Sequence, residues 1–311
     1  MHYTGTIWRP PYEAGSLLLE VTAGCTHHRC KFCTLYNDLP FSFRLSPRED
    51  VEADLQEAQL LANDPMAISA ARLQGLSRPA GIQRIFLVGA NPFVLSFRRL
   101  AELARRIHAY FPSCETIGCF ARVTDIGLKT DSELSELRCL GYDGLSVGVE
   151  TGDGAALSFM EKGYAPEDII IQARRLDQAD ISYRFMYLAG IAGAGRGEEA
   201  AINSAAVFNQ TRPQLIGSSM LTVYPESRLY QDIQAGHWRE AGELEKLEEL
   251  ETLLARLEIP IHFATLGASN AVWVEGALPG DRAQMIASLR QARRELGEAA
   301  LRQYRTTLPH L

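Results

Sequence analysis

The stretch "EVTAGCTHHRCKFCTLYND", residues 20–38, places Cys25, Cys30 and Cys33 within nine positions and holds half of the six cysteines in the chain. An odd number of thiols does not pair off into disulfides. The run that leads into it, "SLLLEVTAG" (16–24), is nearly continuous in apolar residues, as a strand buried on both faces would be. The cysteines therefore follow a strand, on the loop at its C-terminal end. In α/β barrels that end carries the chemistry.

Working outward, the chain from residue 16 to about 223 alternates such runs with helical patterns. The further strand-like runs are "RIFLVGAN" (84–91), "TIGCFAR" (116–122), "LSVGVET" (145–151), "SYRFMYLAG" (182–190) and "LIGSSMLTV" (215–223). Helical segments such as "PREDVEADLQEAQLLAN" and "RRLAELARRIHAYF" separate them. Six βα repeats imply a parallel sheet with right-handed crossovers. Six strands do not close the eight-stranded barrel, so the expected class is α/β, an open partial (β/α)6 TIM-like barrel.

Residues 63–83, "NDPMAISAARLQGLSRPAGIQ", interrupt the rhythm and read as a surface loop or short helix. After about residue 236 the pattern is helical. One stripe carries Leu244, Leu247, Leu250, Leu254 and Leu257, and a second carries Met285, Ile286, Leu289 and Leu296. The division expected is a partial barrel over 1–235 and a C-terminal helical extension over 236–311 that caps the open side.

A net charge of −7 opposes broad capture of a nucleic-acid backbone, so no nucleic-acid partner is expected. No apolar run reaches the roughly 20 residues that span a bilayer. The N-terminal "MHYTGTIWRPPYEAG" lacks the charged-then-apolar order of a signal peptide. These features predict a cytoplasmic protein without a membrane partner, with reduced thiols. Cys114, Cys119 and Cys139 are scattered singly and read as small buried hydrophobes.

Three thiolates suit three corners of a cubane [4Fe-4S] cluster, with the fourth iron open to another ligand. Zinc is the competing reading, with His27 or His28 as the fourth ligand. All four ligands would then fall within nine residues, with no second knuckle elsewhere.

The loop resembles the radical S-adenosylmethionine (radical SAM) superfamily, whose cluster motif is C-x3-C-x2-C with an aromatic residue just before the last cysteine. Phe32 holds the aromatic place here, and the first gap is four residues, Thr26 to Arg29. "LLLEVTAGCTHHRCKFCTLY" is similar to a branch with "GCSHNRCTFC"-type loops, related to the Elongator catalytic subunit and the tRNA methylthiotransferases. The resemblance covers roughly residues 8–280. It implies a [4Fe-4S] cluster held by Cys25, Cys30 and Cys33, and SAM chelated to the open iron. It further implies one-electron cleavage of SAM to a 5′-deoxyadenosyl radical, which abstracts hydrogen from a small or medium organic substrate. A one-electron reductant such as flavodoxin or ferredoxin follows as a partner, and oxygen sensitivity as a property. Whether the outcome is oxidation, transfer or isomerisation stays open.

The resemblance also assigns the SAM pocket. Gly89, Ala90 and Asn91 stand where the superfamily has a Gly-Gly-Glu-like turn at the SAM amine, with Asn91 in place of the acid. Glu150 occupies the ribose-binding position, and Lys162 lies where relatives carry a cation for the methionine carboxylate. Ile191 would touch adenine, Phe32 would fold towards the adenine side, and Tyr224 could line the pocket. Arg122 could serve SAM, a substrate carboxylate or Asp125. Ser269 and Asn270 are retained from the branch's C-terminal segment, whose histidine is absent. The extra residue between Cys25 and Cys30 predicts an outward bulge over 26–29, with His27 and His28 pointing away from the iron. The alternatives carried forward are an RNA-modifying radical SAM enzyme and a zinc-stabilised binding module.

Overall fold

The computed structural model describes residues 1–66, 69 and 81–308. Most of the 63–83 insertion, and the last three residues, lie outside the described residues. The strands are β1 (Leu17–Glu20), β2 (Thr22–Gly24), β3 (Phe43–Leu45), β4 (Arg84–Val88), β5 (Thr116–Ala121), β6 (Leu145–Glu150), β7 (Tyr183–Ala189), β8 (Leu215–Met220), β9 (Ile261–Thr265) and β10 (Glu275–Leu278). The helices are α1 (Arg48–Ala62), α2 (Phe97–Tyr110), α3 (Val123–Gly127), α4 (Asp131–Cys139), α5 (Gly154–Phe159) and α6 (Pro166–Gln178). They continue with α7 (Gly197–Phe208), α8 (Arg228–Gln234), α9 (Glu243–Arg256) and α10 (Arg282–Thr306). Eight strands form one mostly parallel sheet in the order β1-β4-β5-β6-β7-β8-β9-β10. This is the architecture of a partial (β/α) barrel.

The chain forms two compact units. The first contains Met1–His28, Leu35–Ser146 and Gln178–Ile181. Its β4 runs parallel to β1 and β5, and Ile85, Phe86, Leu87 and Val88 have no exposed surface. A strand covered on both faces requires that continuous apolar run, each large side chain adding about 1.5–3 kcal/mol of burial. The α2 helix buries Leu100, Ala101, Leu103, Ala104 and Ile107, one face of a 3.6-residue period. The α4 helix starts with a capping box, in which Glu133 N donates to Thr130 Oγ1 (3.2 Å) and Thr130 N to Glu133 Oε2 (2.8 Å).

"SLLLEVTAG" is two strands rather than one. Its first part pairs with β4, while β2 turns away to pair antiparallel with β3. The cysteine loop therefore leaves from a small two-stranded ribbon. Cys114 and Cys119 are buried as expected, but Cys139 is exposed. It ends α4 on the face opposite the buried Leu134 and Leu137.

The second unit contains Arg29–Thr34, Val147–Asp177 and Ser182–Leu311. Here β7, β8 and β9 are successive parallel strands. The α9 helix lies between β8 and β9 in the chain and packs on α7 and β7. That is the place of a crossover helix. The segment after 236 also contributes β9 and the antiparallel β10, beside its helices. The Leu-rich stripe of α9 is buried from Leu247 to Leu257, while Leu244 is half-buried. On α10, Met285 and Leu289 are buried but Leu296 is exposed. Gly297, at φ 69° and ψ 166°, breaks the helix there and resets its phase, so Leu301 and Arg305 are buried instead. Among the described residues, no helix is long and apolar enough to cross a membrane.

Candidate functional site

In the first unit, Cys25 follows β2 and its N–H donates to Ser42 O (2.7 Å). Thr26, the next residue, is tied to Asn91, whose Nδ2 donates to Thr26 Oγ1 (2.9 Å) and whose Oδ1 accepts from Thr26 N (3.4 Å). Asn91 is buried, and its Nδ2 also donates to both carboxylate oxygens of Asp125, at 3.2 and 3.0 Å. Gly89 adopts φ 116°, and a Cβ there would sit 2.3 Å from Thr22 O. Only glycine lets the end of β4 lie this close to β2. Ala90 beside it is half-buried.

Arg122 caps α3. Its backbone N donates to Asp125 Oδ2 (2.9 Å) and its guanidinium to Thr124 Oγ1 (3.0 Å). Asp125 thus meets Arg122 through the backbone. His28, at φ 44°, is exposed and its Nε2 lies 3.1 Å from Asn37 Oδ1. Thr26 and Arg29 are exposed and His27 is half-buried.

In the second unit, Cys30 and Cys33 close one turn, Cys33 N donating to Cys30 O (3.1 Å). Lys31, between them, is held on both sides of its backbone. Its N–H donates to Met160 O (3.2 Å) and its carbonyl accepts from Leu229 N (2.8 Å). The Lys31 ammonium pairs with Asp232 at 2.9 Å and stands 3.9 Å above the Phe159 ring. Arg228 donates to Arg29 O (3.0 Å) and pairs with Glu161 at 2.8 Å. This guanidinium holds the Glu161 carboxyl below the usual carboxylate range. All three cysteines of the loop are half-buried. Among the described residues, no three His, Cys, Asp or Glu side chains are grouped as ligands of a single metal ion.

The sequence reading placed Glu150 and Lys162 on one ligand, and the structure pairs them with each other at 3.0 Å. Lys162 is only 4% exposed, so it is no solvated helix-end charge. Its ammonium lies 5.7 Å from the centre of the Phe32 ring and 5.6 Å from that of Tyr164. Glu150 adopts φ 60°, a left-handed conformation that costs a non-glycine residue about 1–3 kcal/mol and concentrates at functional sites.

Phe32 packs on an apolar cluster that includes Ile191, Leu188, Met160 and Leu221, with Val223 and Trp238 along its half-buried margin. Ile191 has no exposed surface. Trp238 was not singled out from the sequence, because nothing local marks it. Tyr224 Oη is buried without a hydrogen-bond partner. An orphaned hydroxyl of this kind is the mark of a place that a polar ligand can complete. Ser269 and Asn270 have a structural role. Ser269 Oγ accepts from Met220 N (3.2 Å), and Asn270 Nδ2 donates to Ser218 O (3.0 Å) and Leu266 O (2.5 Å).

Glu249, also missed, reaches from α9 to the end of β7. Its fully buried carboxylate accepts from Tyr187 Oη (2.6 Å) and Gly190 N (2.8 Å), next to Ile191. Burial pushes its carboxyl up to about 7, against the opposing pull of those two hydrogen bonds. An acid raised in the folded state stabilises the fold below the unfolded value of 4.5 and loses that contribution as pH rises to about 7. Glu249→Gln is therefore expected to flatten stability across this window and to exceed wild type at pH 8 by about 2–3 kcal/mol. Equilibrium unfolding at several pH values checks it. Parallel pH profiles for the two proteins would refute the assignment.

No protein-family model matches the sequence, and no curated protein matches it significantly. Solved structures do. A radical SAM methyltransferase, TsrM of Kitasatospora setae, solved with cobalamin and a [4Fe-4S] cluster, is similar over 71% of this chain and 37% of its own, with 20% identity and a TM-score of 0.52. Coproporphyrinogen III oxidase (HemN) of Escherichia coli is similar over 77% of this chain and 51% of its own, with 14% identity and a TM-score of 0.53. The archaeal Elp3 of Methanocaldococcus infernus is similar over 74% and 57%, with 13% identity and a TM-score of 0.51. This chain thus spans between about two fifths and three fifths of the length of these proteins. It has the partial-barrel fold of the radical SAM enzymes.

Proposed function

We propose that the chain is a radical SAM enzyme acting on a small or medium organic substrate in a reducing, cytoplasmic setting. The observation that carries this reading is the loop with Cys25, Cys30 and Cys33, three thiols that follow β2 at the start of a chain with this fold. The donor set fits the group. Three soft thiolates with no competing carboxylate beside them in the loop suit iron–sulfur ligation and leave one corner open. When bound, the cluster and SAM would supply a 5′-deoxyadenosyl radical that takes hydrogen from the substrate.

The protein's own residues then bind, orient and exclude water. Phe32 shields one side of the loop with the apolar cluster it packs on. Glu150 would accept from the ribose hydroxyls and Lys162 would face the methionine carboxylate, each giving up part of their mutual ion pair. Gly89 and Ala90 would offer backbone carbonyls to the SAM amine. Arg122 in the first unit, and Ile191 and Tyr224 in the second, are proposed as further SAM-binding residues, Tyr224 through its buried hydroxyl. A one-electron carrier such as flavodoxin or ferredoxin would reduce the cluster. Residues 236–311 are proposed as an extension of the barrel.

Anaerobically reconstituted protein with dithionite and SAM should release 5′-deoxyadenosine. Glu150→Gln should weaken SAM binding by about tenfold, the effect of losing one charge-assisted hydrogen bond. Absence of 5′-deoxyadenosine from a fully loaded wild type would refute the proposal. His27→Ala/His28→Ala should keep wild-type iron content, since His28 already engages Asn37. Loss of the cluster in that double variant would make a histidine a ligand.

A further inference from the structure

Asn91 was expected at the SAM amine, yet every polar atom of its side chain is already committed within the protein. We infer that Asn91 and Asp125 form a clamp that positions the Cys25 arm of the cluster loop, the acid behind the amide fixing which way the amide faces. The inference deepens the proposed function and rests on it where the cluster is concerned.

The order of the contacts sets the roles. Asp125 sits in the first turn of α3, 2% exposed, and its Oδ2 accepts from Arg122 N (2.9 Å). Carboxylate oxygens accept, so the edge of Asn91 that faces them must be its NH2 group. That leaves Oδ1 for the N–H of Thr26, while Nδ2 also reaches Thr26 Oγ1. Thr26 is exposed and follows Cys25 directly, so without this grip little side-chain packing would hold its backbone. With Cys25 N bonded to Ser42 O, the backbone is fixed on both sides of the thiol. A glutamate in place of Asn91 would bring a second carboxylate against Asp125 and offer nothing to Thr26 Oγ1 as a donor. The departure from the superfamily's acid is therefore matched to the acid at Asp125. The consequence is that this turn holds the ligand loop, and any contact with the SAM amine comes from backbone carbonyls.

The test exchanges the two residues. Asn91→Asp sets two carboxylates face to face. Adding Asp125→Asn restores one donor to one acceptor. The amide introduced at position 125 then donates to the carboxylate introduced at position 91, and its oxygen is kept for Arg122 N. Reconstituted Asn91→Asp is expected to lose iron to a chelator at least about tenfold faster than wild type, as unpaired buried polar groups imply. The exchanged double variant should return to within about threefold, and SAM affinity per cluster should stay unchanged in both. Thr26→Val, at an exposed position, is a milder variant that removes only the hydroxyl, and it should speed iron loss by about threefold. It keeps the inference testable if Asn91→Asp fails to fold. Wild-type iron release in Asn91→Asp, no rescue in the double variant, or a change confined to SAM affinity would each overturn the clamp. Hydrogen exchange of the Thr26 amide in the metal-free protein reads the same grip without a cluster. It should be faster in Asn91→Asp and restored in the double variant. A wild type that takes up no cluster but shows this exchange pattern would overturn the proposed function and leave the clamp standing. A wild type that takes up the cluster but shows no such pattern would do the reverse.

Discussion

Replacing Cys25, Cys30 and Cys33 together by alanine is expected to abolish iron–sulfur incorporation and SAM cleavage while leaving the fold intact. The two outcomes separate because the loop does not depend on its thiols for its shape. Its backbone is held by Ser42 O on Cys25 N, by Met160 and Leu229 on Lys31, and by Arg228 on Arg29 O. Each half-buried cysteine side chain cut back to a methyl group should cost at most about 1 kcal/mol. The readouts are iron and sulfide content, absorbance near the charge-transfer bands of the cluster, and thermal melting. A variant that keeps its iron would show that other residues hold it. One that fails to fold would show that the thiols are structural.

Glu243→Leu should lower the stability of the protein by about 3–5 kcal/mol, the usual cost of breaking a buried ion network by removing one partner. Glu243 is 2% exposed and lies between Lys246 at 3.1 Å and Arg305 at 2.8 Å, both of them buried. These cations hold the chain just beyond β8. Lys246 donates to Leu221 O (2.9 Å), and Arg305 to Ser269 O (2.7 Å) and Thr222 Oγ1 (3.1 Å). Burial works against the Glu243 charge, but Arg305 and Lys246 outweigh it and hold the carboxyl below its ordinary 4.5. Its contribution is therefore present above that value and lost as pH falls through the depressed one. The triple exchange Glu243→Leu/Lys246→Met/Arg305→Leu should recover part of the loss, because no charge is then left unpaired. Denaturant unfolding measures both. A loss under about 1 kcal/mol in the single variant would contradict this role of the network.

The parts of the fold that could be read from the sequence are those whose signal is local. The runs around residues 84, 116, 145, 182 and 215 became β4 to β8 because strands covered on both faces need continuous apolar residues. β10 was not legible, since three of its four residues, Glu275, Gly276 and Ala277, are exposed or half-buried. The break at Val21 depends on β3, more than twenty residues further on, and so left no local trace. The same division holds for the site. Glu150 and Lys162 could be placed near each other because twelve residues bring them back across one turn and one short helix, although their mutual ion pair was not foreseen. Asp125 behind Asn91 is 34 residues away and Glu249 behind Gly190 is 59 away, so only the tertiary structure joins them. The partners of Asn91 were invisible for this reason at the turn where it sits.

The measurement that bears most directly on the central claim is the electron paramagnetic resonance spectrum of the reduced, reconstituted wild type with and without SAM. The expected result is about four irons per chain with matching sulfide, a reduced-cluster signal, and a change in that signal when SAM occupies the open iron. A single colourless zinc, or a cluster whose signal SAM leaves unchanged, would contradict it.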